Sequence, residues 1–116
     1  MIAREIYLQK LRQLKDQNLI KVVTGVRRCG KSTLLDAFRN ELLLTGVSPQ
    51  NIFSLNFEER ENLGFVDWTA LYDEIVGKTN PSQKNYVFLD EVQQLADFEK
   101  LIDALYVKKN IDLYVT

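Results

Sequence analysis

Two groups of residues in this 116-residue chain have types and spacing suited to chemistry. The first is Gly25-Val26-Arg27-Arg28-Cys29-Gly30-Lys31-Ser32, followed by Thr33. Two glycines, then lysine and a hydroxyl, describe a loop whose backbone N–H groups surround a phosphate. Glycine lets the chain wrap the anion where a Cβ would resist the turn. A helix starting at the lysine aims its unpaired N–H groups and positive dipole end at the same anion. Lys31 is then suited to neutralise the β- and γ-phosphates of a nucleotide, and Ser32 to offer a hydroxyl to Mg²⁺.

The second group is Asp90-Glu91, at the end of the apolar run Tyr86-Val87-Phe88-Leu89. In an open parallel sheet, ligands bind at the carboxyl ends of the strands. A phosphate loop and an acid at two such ends therefore make a common site. Asp90 would join Ser32 as a Mg²⁺ ligand, directly or through water. Glu91, next in sequence, is a candidate base that orients and deprotonates an attacking water.

Several elements must hold these groups. Residues 3–17 carry Tyr7, Leu8, Leu11 and Leu14 at helical spacing. Residues 20–24 read as a buried parallel strand broken only by Lys21. Leu34, Leu35, Phe38, Leu42 and Leu43 give residues 31–45 an apolar helical face, with Gly46 as a natural stop. Residues 52–57 predict a second strand. Asp67 would cap a helix bearing Trp68, Leu71, Tyr72, Ile75 and Val76 and stopped by Gly77. Residues 86–89 form a third strand. Asp97 would cap a further helix with Phe98, Leu101, Ile102, Leu105 and Tyr106 on one side and Lys108-Lys109 in its last turn. Residues 111–115 begin a fourth strand. Strands alternating with helices predict an α/β fold with a mostly parallel sheet.

Composition bounds the function. The chain is 46% hydrophobic and 27% charged, as in an ordinary globular domain. A net charge of −1 gives no overall field favouring nucleic acid or a membrane surface. One cysteine rules out an internal disulfide framework and suits a reducing cytosol, and no apolar run reaches membrane-spanning length. The expected location is cytoplasmic. Arg27 and Arg28 read as solvated loop charge, and Cys29 as a small filler beside the phosphates.

The runs 25–35 and 86–93 (Tyr-Val-Phe-Leu-Asp-Glu-Val-Gln) resemble Walker A and Walker B of AAA+ P-loop ATPases. More narrowly, they resemble prokaryotic AAA-type ATP-binding proteins in which such a domain precedes a C-terminal domain of unknown function. The resemblance implies a P-loop NTPase core of three α/β/α layers, with about four mostly parallel strands. It implies ATP and Mg²⁺, phosphate contacts from Gly25, Val26, Arg27, Arg28, Cys29, Gly30, Lys31, Ser32 and Thr33, and metal ligation by Ser32 and Asp90. Lys31 and Glu91 would be catalytic, with Asn56 or Glu58 holding Glu91 back from water. Residues 1–116 would be the N-terminal part of the ATPase domain, a fragment ending before the sensor residue of the fourth strand, the arginine finger and the lid. Hydrolysis would then belong to the longer protein, acting on an unidentified protein client or as a homo-oligomer. A P-loop small-molecule kinase and a non-catalytic nucleotide-dependent interaction module are the alternatives.

Overall fold

The structure is a computed structural model that describes residues 2–15, 20–22, 28–57 and 67–116, with side chains for 8–15, 20–21, 34–57 and 67–116. The elements follow in the order α1 (Ile2–Leu14), β1 (Lys21–Val22), α2 (Arg28–Leu44), β2 (Ile52–Asn56), α3 (Trp68–Lys78), β3 (Asn85–Asp90), α4 (Phe98–Tyr106) and β4 (Ile111–Val115). The four strands form one parallel sheet in the order β1-β4-β3-β2. Lys21 pairs with Tyr114, Phe88 with Tyr114, and Asn56 with Asp90.

Alternation along the strands divides the core in two. Tyr86, Phe88 and Tyr114 pack against Leu8 and Leu11 of α1 and Leu34, Leu35, Phe38 and Leu42 of α2. Val87, Leu89, Leu113 and Val115 face Leu71 and Ile75 of α3 and Leu101 and Leu105 of α4. The result is the expected three-layer α/β/α sandwich. Both faces of the sheet are covered, which is why β3 and β4 are buried at every position. Tyr114 stacks on Phe88 with ring centroids 5.0 Å apart and meets Phe38 at 5.2 Å, fastening α2 over the middle of the sheet.

Lys21 is more than an interruption in an apolar strand. Its ammonium lies in the interior against the Asp112 carboxylate, with side chains only 1% and 0% exposed. The Tyr114 hydroxyl donates to the other Asp112 oxygen at 2.8 Å, and the ammonium stands 5.5 Å from the Tyr114 ring centroid. The pair ties β1 to β4 with a charge-assisted bond that has no water to compete with it.

Four local expectations change. α2 begins at Arg28, so Arg28, Cys29 and Gly30 belong to its first turn instead of a preceding loop. Gly77 lies inside α3, which runs to Lys78 and ends where the Thr79 hydroxyl donates to the Val76 carbonyl at 2.8 Å. Asp67 does cap this helix, accepting from Thr69 N at 3.3 Å and from its hydroxyl at 2.6 Å. Asp97 does not cap α4. It sits at φ 60 without a side-chain capping bond, and Lys100 lies near its carboxylate at 3.9 Å. α4 ends at Tyr106, leaving Lys108 and Lys109 beyond its last turn. Residues 23, 24 and 25–27, and Glu58, lie outside the described residues. Among the described residues, no helix is long and apolar enough to cross a membrane.

The Thr69 hydroxyl and, next, its N–H hold the Asp67 carboxyl below the ordinary 3.8. A depressed folded-state value means the cap is at full strength above that ordinary value and is lost as pH falls through the lowered one. Lys21→Met leaves Asp112 buried without its counter-charge, so it should destabilise the fold by about 3–5 kcal/mol in urea denaturation. The double variant Lys21→Met with Asp112→Leu should recover most of that loss.

Candidate functional site

Parallel strands bring three chain ends to one rim. β1 is described as far as Val22, β3 ends at Asp90 and β4 at Val115, and the pairs Val22↔Val115 and Leu89↔Val115 set them side by side. α2 returns from this rim on one face of the sheet, whereas α3 and α4 cover the other. Neighbouring strands with crossovers on opposite faces leave a crevice at their carboxyl ends. Lys31, Ser32 and Thr33 occupy the beginning of α2, the end whose first N–H groups have no partner within the helix.

Asp90 is the last residue of β3 and shares the face of Phe88 and Tyr86, the face that carries α2. A cavity of about 390 Å³ runs between them, lined by Leu35, Asp36 and Arg39 of α2, Ser54 and Asn56 of β2, and Asp90. Asp90 thus lies along the flank of the helix whose first turns carry Lys31 and Ser32. Asp36 and Arg39 pair with each other across one helical turn at 3.1 Å. A second cavity of about 390 Å³, between the C-terminal halves of α1 and α2, has an apolar lining that includes Phe38 and Leu42. It lies toward the opposite rim, away from Asp90.

Asp90 and Glu91 are both buried, 8% and 5% exposed. Their environment includes a group that the sequence motifs do not reveal. Thr116, the residue after β4, donates its hydroxyl to Asp90 Oδ1 and accepts at 2.9 Å from the Glu91 backbone N–H. Its own N–H donates to Leu89 O at 3.0 Å, continuing the ladder past the end of β4. One hydroxyl therefore reads both acids. The only local signal was a polar residue closing an apolar strand. Its partners lie 25 and 26 residues away and follow from strand order alone.

Glu91 leaves the strand in the left-handed region, at φ 58 and ψ 44. This turns the chain sharply off the sheet into a short 3₁₀ turn at Val92–Gln94. Residues with a Cβ adopt that conformation sparsely, so its retention next to the strand end marks a constrained position. The Gln93 side-chain amide donates to Glu91 Oε2.

The set of donors suits a nucleotide-bound Mg²⁺. Such an ion takes one or two protein carboxylates, with phosphates and waters supplying the rest. Asp90, buried at the rim with its carboxylate oriented by Thr116, matches that need. Among the described residues no group of three His, Cys, Asp or Glu side chains converges on a point, so an all-protein metal cage has no basis there.

A family model described as "AAA domain" matches residues 17–116, which include both motifs and all four strands. The chain belongs to the AAA domain family. This makes it an AAA-type, ATPase-like domain of the nucleotide-binding P-loop class. An uncharacterised protein of Haemophilus influenzae is similar, 41% identical over 118 residues. The match covers 100% of this chain but 29% of that relative, so the chain spans under a third of its length. No solved structure matches.

Thr116→Val keeps the shape but leaves the Glu91 N–H without its acceptor. It should cost about 1–3 kcal/mol in denaturant titration, while Thr116→Ser should stay near the original. Equal stability of all three proteins would show that the hydroxyl is not holding the rim together.

Proposed function

We propose that this AAA domain binds ATP with Mg²⁺ and, within its full-length protein, hydrolyses it. The observation that supports this most is the placement of buried Asp90 and Glu91 at the carboxyl rim, joined by Thr116, on the flank of the helix that carries Lys31 and Ser32. The backbone from Gly25 to Thr33 holds the phosphates, with Arg28, Cys29 and Gly30 contributing from the first turn of α2. Lys31 meets the charge on the β- and γ-oxygens. Ser32 and Asp90 would hold the ion, which when bound would supply positive charge against the transferring phosphoryl group. Glu91 accepts a proton from the attacking water. Thr116 fixes the acid pair by donating to Asp90, and the Glu91 N–H keeps that hydroxyl turned the right way.

Binding and turnover are separable in this scheme. Lys31→Ala should weaken calorimetrically measured Mg-ATP binding by about tenfold or more, the loss of one charge-assisted phosphate contact. Glu91→Gln should bind as the original does while phosphate release falls by about 10²–10⁴-fold. Removal of Mg²⁺ by chelation should stop release in the original protein. Transfer of the γ-phosphate to a small acceptor, with none released to water, would instead make the domain a kinase. Binding without any turnover that depends on Glu91 would make it a nucleotide-dependent interaction module.

A further inference from the structure

The hydrogen bond between Gln93 and Glu91 has a geometry with one mechanical meaning. Gln93 sits in the 3₁₀ turn Val92–Gln94, whose ends are anchored. Val92 and Leu95 are buried in the core against α3 and α4, at 4% and 1% exposure. Leu95 N donates to Val92 O at 3.0 Å, and Val92 N reaches Thr116 O at 3.4 Å. The Glu91 backbone is fixed too, by its N–H bond to Thr116. Between these anchors the exposed Gln93 side chain folds back and donates Nε2–H to Oε2 of the buried Glu91 carboxylate.

We propose that Gln93 is the positioning residue for the Glu91 base, orienting its carboxylate toward the attacking water. The inference rests on the reading of Glu91 as base. A base gains from a third group that fixes its direction, because proton transfer needs hydrogen-bond reach in a set geometry. Gln93 supplies that through an amide, which fixes a carboxylate without adding charge beside it. Donor and acceptor lie two residues apart in one anchored turn, so they move together. A partner on another element, such as Asn56 on β2, could be withdrawn by a shift between elements. Gln93 cannot be withdrawn that way, so it acts as a fixed strut instead of a releasable latch.

The test is steady-state phosphate release from Mg-ATP by the full-length protein. Gln93→Met keeps the length of the side chain but deletes the donor. It should lower kcat by about 10-fold or more, as losing a group that orients a catalytic ligand does, with KM unchanged. In a Glu91→Gln background the same change should cost nothing further, because the strut then has no base to orient. An independent signature is solvent exchange of the side-chain amide protons. Those of Gln93 should exchange more slowly than those of its neighbour Gln94, and the difference should vanish in Glu91→Ala. An unchanged or raised kcat in Gln93→Met, or an equal loss in both backgrounds, overturns the positioning role while leaving Glu91 as base. If Glu91→Gln itself leaves release unaffected, the base reading fails and the role of Gln93 falls with it.

Discussion

The ion pair between Lys21 and Asp112 is the constraint on which the rest of the molecule hangs. Taking two charges out of water is expensive, and the attraction regained in the interior recovers that cost only with good geometry and further bonds. Here Asp112 also receives the Tyr114 hydroxyl, and the lysine stands against the Tyr114 ring. The return is in register more than in net stability. If β1 slipped by one residue along β4, the ammonium would turn to the opposite face, among the aliphatic side chains beneath α3 and α4. The observed alignment keeps the ammonium beside Asp112 and so favours that register of β1 on β4.

The rim inherits its order from this register. β4 lies between β1 and β3, so its last residues touch the ends of both neighbours. Thr116 can bridge Asp90 and the Glu91 N–H because Val115, the last residue of β4, pairs with Leu89, which brings the next residue of each chain segment level. The aromatic group Phe38, Phe88 and Tyr114 performs the matching task one layer up, fixing α2 over the same two strands. Sheet register and helix placement thus act on one location, the rim that holds Asp90 and Glu91.

Much of this was legible in the sequence, and the exceptions share a cause. The glycine-rich loop and Asp90-Glu91 stood out as candidates because the chemistry they suggest depends on residue type and local spacing. The buried strands announced themselves as short apolar runs. Lys21 looked like a blemish because Asp112, 91 residues away, is invisible until strand order is known. Thr116 was overlooked for the same reason. The local misreadings arose where two signals compete. Gly77 is permissive enough to remain in a helix whose real terminator is the Thr79 cap. Asp97 has the side chain of a capping residue, but the turn after Leu95 puts its backbone in the left-handed region, where it does not cap. Gln93 closes the run 86–93 that carries the family resemblance, but its bond to Glu91 had no local signal, since it depends on the chain turning back on itself.

The interleaved strand order has a consequence in time. β2, β3 and β4, with the helices between them, are consecutive in the chain, and the β2–β3 and β3–β4 pairs link neighbours in sequence. β1 is different. It is synthesised first, yet its partner strand is the last of the four. At ordinary rates of translation, the wait between Lys21 and Asp112 is on the order of 5–20 s. Throughout it β1 has been made while its partner strand has not. β1 is therefore paired only once the later strand β4 lies between it and β3.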